Sequence, residues 1–298
     1  MTIGPTTAVR RQGVYGAAFA SLRPHQWTKN LIVFAGILFA SQLQDPVRWS
    51  QALVAFAAYG ALSSAGYLVN DVRDAEADRL HPAKRLRPIA RGDLSVHDAL
   101  AVAAVLACAG LGLAASLGRG SLLLAVAFGG GQLAYTLWLK RVYLVDALTI
   151  AGLFVIRAAA GAVAVNVHIS NWLLVCTAAL ALFLTFAKRR GEVLTVAKES
   201  SVGRAVLEHY SLRRLSVLVW STAAATVTAY VAYTLTGAES NEMAATIPFV
   251  VFGLARYLFL MQRHDLGEEP DQVLLTDVPI LVSVAAWAVV AATVLSAA

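Results

Sequence analysis

SQALVAFAAYGALSSAGYLVNDVRDAEAD, residues 50–78, decides the fold. Residues 50–69 carry no charged side chain, and as a helix they are long enough to cross about 30 Å of hydrocarbon. The next nine positions hold Asp71, Arg73, Asp74, Glu76 and Asp78. An apolar crossing therefore ends abruptly in acidic chemistry. Outward from it, further apolar runs fall at 30–44, 97–117, 121–139, 146–165, 171–187, 215–236, 244–262 and 278–297, giving nine predicted crossings. The whole chain agrees: of 298 residues 58% are hydrophobic and only 14% charged, with a mean hydropathy of +0.66. Soluble domains carry about 25% charged residues. That contrast excludes a water-soluble globule, a disordered chain and a disulfide scaffold, and leaves an all-α, polytopic membrane protein.

Charge orients the nine crossings. With the N-terminus in the cytoplasm, 20 of the 24 Lys and Arg residues share the cytoplasmic side, as the positive-inside bias requires. Arg48 and Arg119 fall on the other side, while Arg157 and Arg256 lie within crossings. The net charge of +6 thus reads as topology rather than as a nucleic-acid surface. Arg10-Arg11 precede too short an apolar stretch for a cleaved signal, so residues 1–13 are expected to form a disordered cytosolic tail on one membrane domain spanning 1–298. Cys108 and Cys176 sit in apolar runs and read as small packing residues. No soluble domain or repeat is evident, so function is expected where the helices meet the cytoplasm.

In the acidic stretch Asn70, Asp74 and Asp78 are spaced i, i+4, i+8 and are expected to share a helix face. Oxygen donors in that pattern suit Mg²⁺, which keeps waters and binds substrate phosphates. Asp71 and Glu76 read as structural members. Lys84, Arg85, Arg87 and Arg91 follow, broken by Pro82 and Pro88. Carboxylates beside such cations are how a protein holds a metal–diphosphate. On the same side lie R-P-H-Q-W-T-K-N (23–30), Tyr135, Lys140-Arg141 with Asp146, and Lys188-Arg189-Arg190 with Glu192. Trp27 and Trp138 read as interfacial belt residues. Arg157, about 11 residues into the fifth predicted crossing, needs a buried acid or a lipid phosphate as partner, unless its side chain snorkels to the interface.

These residues carry a resemblance. Asn70-Asp71-x-x-Asp74-x-x-x-Asp78 after the second of nine helices resembles the first aspartate motif of UbiA-type intramembrane prenyltransferases. Typical prenyl-transferring members have a second D-x-x-x-D cluster after the sixth helix, where this chain offers Lys188-Arg189-Arg190-Gly191-Glu192. That departure, with the 23–30 stretch, Tyr135-x-x-x-x-Lys140-Arg141, Arg256-Tyr257 and the late Glu269-Pro270 and Asp277-x-Pro279, is similar to the decaprenyl-phosphate phosphoribosyltransferase branch.

The resemblance implies a Mg²⁺-dependent transfer of 5-phosphoribose from phosphoribosyl pyrophosphate (PRPP) to a polyprenyl phosphate, in the inner membrane, for cell-wall arabinan precursors. It implies Asn70, Asp74 and Asp78 as metal ligands. Lys29, Tyr67, Lys84, Lys188 and Arg189 would cradle the donor. Lys140, Arg141 and Arg157 would hold the lipid phosphate, and Asp74, Asp78 or Glu192 would serve catalysis. Extra cations in place of a second acidic cluster fit a donor with an additional phosphate. The acceptor is already anionic and needs positioning more than a general base. The alternative is a UbiA-type enzyme joining a prenyl diphosphate to an aromatic acceptor. A transporter fits less well, because the polar groups gather at one face rather than near mid-membrane. Oligomeric state stays open.

Overall fold

Helix α3 (Pro46–Leu80) is the axis on which the site is built. Asp45 caps it, its carboxylate accepting from the amides of Val47 at 2.8 Å and Arg48 at 3.4 Å, and Pro46 fills the first turn, where no amide is needed. With 35 residues it extends about 52 Å, well beyond a bilayer's hydrocarbon. The apolar crossing and the acidic stretch are thus one continuous rod, longer than a crossing requires by several turns.

The computed structural model describes residues 13–39, 44–81, 84–199, 205–238, 241–264 and 270–297. Residues 1–12 of the expected tail, residues 40–43 of the first expected crossing, Pro82, Arg204 and Glu269 lie outside these. In chain order the helices are α1 (Val14–Ser21), α2 (Ala35–Phe39), α3, α4 (Pro88–Arg91), α5 (Val96–Ser116), α6 (Arg119–Leu137), α7 (Val145–Ala164), α8 (Asn171–Glu199), α9 (Leu212–Ala232), α10 (Ile247–His264), α11 (Pro270–Thr276) and α12 (Val278–Ala297). Among the described residues eight helices are long and apolar enough to cross a membrane. Their outer faces present Leu53, Val105, Leu123, Val217, Phe252 and Val289, as helices bathed in lipid should.

The first expected crossing differs from the other eight. It is a 3-10 helix, Pro24–Phe34, continued by the five residues of α2. The tighter coil rises about 2.0 Å per residue, so the two pieces together reach about 30 Å. Arg23 at one end pairs with Asp71 near the end of α3, while the other end leads into Asp45 at its start. The segment therefore runs antiparallel to α3 over most of its length, packed on α3 and α7. Glycine permits this approach: a Cβ on Gly161 would collide with the Val33 carbonyl, and one on Gly36 would lie 2.8 Å from the Ala162 nitrogen.

Helix α3 packs on α5 and α6, α7 bridges α6 and α8, and α8 packs on α9. At the acidic end, α1, α4, the tail of α3 and the start of α5 close a small cluster of Ala17, Leu68, Ala75, Ile89, Leu94 and Ala99. Ser95 caps α5 there, accepting from the Asp98 amide at 3.0 Å. A larger core joins α8, α9, α10 and α12 around Phe183, Leu215, Tyr257 and Ile280.

Candidate active site

The acidic end of α3 presents two faces, because residues advance about 100° each around a helix. Asn70 and Asp74 lie about 40° apart, whereas Asp78 lies about 80° from Asn70 and only about 20° from Asp71. The structure follows this division. Asn70 and Asp74 converge on the ammonium of Lys140, which sits 3.1 Å from Asn70 Oδ1 and 2.7 and 2.8 Å from the two Asp74 oxygens.

Asp71 and Asp78, buried to 3% and 4% exposure, lie to one side of that pair. Arg87 Nη1 donates to both, at 3.2 and 2.6 Å, and Arg23 Nη2 reaches both Asp71 oxygens at 2.6 and 2.9 Å. Of the three residues expected to hold a metal, Asn70 and Asp74 thus converge on one point, while Asp78 pairs with Arg87. Arg23 also lies over the Tyr67 ring, 5.1 Å from its centre.

Lys140 comes from a 3-10 turn, Leu139–Arg141, between α6 and α7. Arg141 beside it is exposed, and Trp138 is 65% exposed. Lys29 lies half-buried on the 3-10 helix and Lys84 half-buried on a short turn after α3, its amide donating to His81 Nδ1. Lys188 is half-buried on α8, one turn before Glu192.

Arg189, expected among the donor-phosphate ligands, is engaged with other side chains. It is 1% exposed, and its Nε donates to Asp146 at 2.8 Å, its Nη1 to Glu192 at 2.6 Å and its Nη2 to the Tyr135 hydroxyl at 3.3 Å. The other Asp146 oxygen accepts from Tyr210 at 2.8 Å, and Tyr210 in turn accepts from the Leu144 amide at 3.2 Å. Burial, and then the hydrogen bond to Asp146, push the Tyr210 phenol above its ordinary range. Arg189 is therefore a buried tie between α7 and α8 that fixes Glu192. Arg190 turns aside, with its Nε 3.4 Å from Ser216 Oγ.

Arg157, 5% exposed, lies between the Phe128 and Phe154 rings at 4.5 and 5.0 Å, with no carboxylate in hydrogen-bond contact among the described residues. Its Nε, the Tyr59 hydroxyl, Ser63 Oγ, Gln132 Oε1 and both polar atoms of Asn30 have no hydrogen-bond partner among the described residues. Buried polar groups are ordinarily paired. Tyr59 stacks on Phe128 at 5.0 Å and Gln132 Nε2 reaches the Ser63 carbonyl at 3.4 Å, so part of this set gathers between α3, α6 and α7. Sequence reasoning gave no role to Asn30, Tyr59, Ser63 or Gln132. The signal for Gln132 was present, as the single amide in an apolar run.

The residues fit a divalent cation in a specific way. An amide oxygen and a carboxylate already converge on one positive group, the Lys140 ammonium, which stands in for a cation. No cluster of three or more His, Cys, Asp or Glu side chains that could hold a metal occurs among the described residues. Two protein ligands leave the remaining positions to substrate oxygens and water, the usual habit of Mg²⁺.

Fold and site together define a helical integral membrane protein with a polar end to its bundle, where Asn70 and Asp74 converge on Lys140. The chain belongs to the UbiA prenyltransferase family, whose model matches residues 30–276. It is 35% identical over 276 residues to the decaprenyl-phosphate phosphoribosyltransferase of Mycobacterium tuberculosis, covering 90% of each chain. The enzyme of that name from Corynebacterium glutamicum is 34% identical over 283 residues, covering 90% of this chain and 83% of its own. Among solved structures, a UbiA homolog from Archaeoglobus fulgidus bound to GPP and Mg²⁺ shares the fold, with a TM-score of 0.74 at 17% identity over 95% of this chain and 100% of that one.

Proposed function

We propose that the protein transfers 5-phosphoribose from PRPP to a polyprenyl phosphate such as decaprenyl phosphate, releasing pyrophosphate, at the cytoplasmic face of the inner membrane. The observation that carries this reading is the charge layout of the site. It has one two-ligand cation position and, where a second acidic cluster would stand, the Arg189 tie and Lys188. The relatives named above support it across nine-tenths of the chain. The product would serve arabinan assembly. The 3-10 segment counts in this reading as a ninth crossing, which puts the N-terminus and the site on the side holding 20 of the 24 basic residues.

Asn70 and Asp74 would hold Mg²⁺, which supplies charge neutralisation to the departing pyrophosphate. Lys29, Lys84 and Lys188 bind the donor phosphates, with Tyr67 beside them. The polar groups between α3, α6 and α7 offer partners for ribose hydroxyls. Lys140, Arg141 and Arg157 draw in the acceptor phosphate while its tail lies between helices. An acceptor oxygen forms a bond to ribose C1 as the bond from C1 to the pyrophosphate oxygen breaks. The positive charge that builds on the sugar faces Glu192, held in place by Arg189, while Asp78 and Arg87 keep the end of α3 rigid. No proton need be removed from the acceptor.

The test is incubation of purified protein with labelled PRPP and decaprenyl phosphate, with and without EDTA. Metal-dependent label in the organic phase is expected, and Asp74→Ala should lower it at least about 100-fold. Full metal-dependent turnover by Asp74→Ala would refute the assignment. The likeness to a homolog solved with GPP favours one second reading, a prenyl diphosphate donor; label entering lipid only from such a donor would establish it.

A further inference from the structure

The position of Lys140 raises a question the proposed function leaves open. This residue was expected to hold the acceptor phosphate, yet its ammonium lies 2.7 and 2.8 Å from the oxygens of Asp74 and 3.1 Å from Asn70 Oδ1. Those are the two side chains that fit a divalent cation. Ammonium and metal cannot share that point. The pair is half-open, with side-chain exposures of 12% for Lys140 and 31% for Asp74, so the exchange does not require burying a bare charge.

Four other carboxylates of this end are held differently. Asp71 and Asp78 are gripped by Arg87, with Arg23 also on Asp71, and Asp146 and Glu192 by Arg189. A guanidinium fork fixes geometry, whereas lysine is a point charge on a flexible four-carbon stem that can change partners. Lys140 also sits on a three-residue turn next to exposed Arg141 and Trp138, where a lipid headgroup would meet the protein.

We infer that Lys140 is an exchangeable counter-ion that makes the enzyme bind its substrates in order. In the ligand-free protein it neutralises Asp74 and is withheld from the acceptor site. Arrival of the metal–pyrophosphate end of the donor takes over Asn70 and Asp74 and frees the ammonium, which then turns to the acceptor phosphate. Donor binding thereby creates part of the acceptor site, and a polyprenyl phosphate arriving first meets an incomplete one. By linkage, the two ligands must strengthen each other equally.

This inference rests on the metal–diphosphate reading of the site, and the experiment separates the two. Mn²⁺ binding to the detergent-solubilised full chain is followed by electron paramagnetic resonance, without substrate, for wild type, Lys140→Met and the neighbouring Arg141→Met. Loss of an ion pair of about 1 kcal/mol corresponds to about fivefold. Lys140→Met should therefore bind Mn²⁺ about fivefold more tightly, and Arg141→Met less than about twofold. In a second arm, farnesyl phosphate binding is measured with and without Mn²⁺ and pyrophosphate. Wild type should gain about fivefold from their presence and Lys140→Met should gain nothing. Unchanged Mn²⁺ affinity in Lys140→Met, or an equal gain in Arg141→Met, overturns the exchange. Absence of coupling in wild type overturns the ordered handover. Absence of Mn²⁺ binding by wild type overturns the metal reading and this inference together.

Discussion

Asp146→Ala is the substitution whose cost the structure defines best. Asp146 is fully buried and Arg189 is 1% exposed, with 2.8 Å between Arg189 Nε and Asp146 Oδ2. Removing one partner from a buried pair leaves an uncompensated charge and typically costs about 3–5 kcal/mol. Here Glu192 still accepts from Nη1 at 2.6 Å, which places the loss near the lower end. Tyr210 also loses its acceptor, adding about 1 kcal/mol. A net loss of about 4 kcal/mol should lower the melting temperature in detergent, followed by intrinsic tryptophan fluorescence, by about 8 °C or more. The paired variant Asp146→Leu with Arg189→Met removes the uncompensated arginine and should regain part of that loss, the rest persisting because Tyr210 still lacks its acceptor and Glu192 has lost Arg189. It should nevertheless remain at least about 100-fold less active, because Glu192 is no longer oriented. An Asp146→Ala protein that melts within about 1 °C of wild type would refute the argument, as would a double variant no more stable than the single one.

Arg157→Met should melt at or above the wild-type temperature, since it removes a buried cation that has no carboxylate partner, yet transfer to polyprenyl phosphate should fall about 100-fold. Turnover and melting measured on one preparation separate the two effects. Gly161→Ala should destabilise by about 1–3 kcal/mol through collision with the Val33 carbonyl, while Gly129→Ala, with open space around its Cβ, should be neutral or slightly stabilising in the same melt. The neutral Tyr210 phenol is favoured in the fold, so its stabilisation is complete below about pH 10, the unfolded value, and is lost as pH rises through the higher folded value. Tyr210→Phe should flatten that alkaline decline. Asp277 is held below the usual carboxylate range, chiefly by its hydrogen bond from Arg256, so its stabilisation is present above about pH 4 and lost as pH falls through the folded value. Asp277→Asn should make melting less acid-sensitive.

Eight candidate crossings could be read from the sequence because each is an apolar run of 17 to 22 residues, about the length a crossing needs. The segment at 24–39 was harder. Its apolar run is short, its length comes from the longer rise of a 3-10 coil, and its packing depends on glycine contacts with α7, neither of which leaves a periodic trace. The acidic stripe was legible as a stripe, but helical spacing taken in steps of four placed Asp78 with Asn70 when its angle places it with Asp71. Lys188, Arg189 and Arg190 read as one basic run. Successive residues on a helix point about 100° apart, and Arg189 turns inward to Asp146 while Arg190 turns to Ser216. Asp146 and Tyr210, 64 residues apart, meet only through the packing of the bundle, so no local pattern could pair them.

The division of α3's polar end into two faces bears on which donor the site takes. Arg23 and Arg87 neutralise Asp71 and Asp78, and in the Asp146–Arg189–Glu192 group the one guanidinium engages both carboxylates, leaving a single net negative charge there. Asp74 is the carboxylate whose partner can leave. If a metal replaces Lys140 there, as proposed, that ammonium adds to the positive charge that Arg141, Lys29, Lys84 and Lys188 bring to this end of the bundle. A prenyl diphosphate brings one anionic group and a long apolar tail, for which this many cations are an excess. A donor with a separate 5-phosphate, joined by a lipid phosphate acceptor, brings three anionic groups together within one site. Their mutual repulsion is the larger obstacle to forming the ternary complex, and a cation released only when the first of them has bound lowers that obstacle at the step where it is greatest.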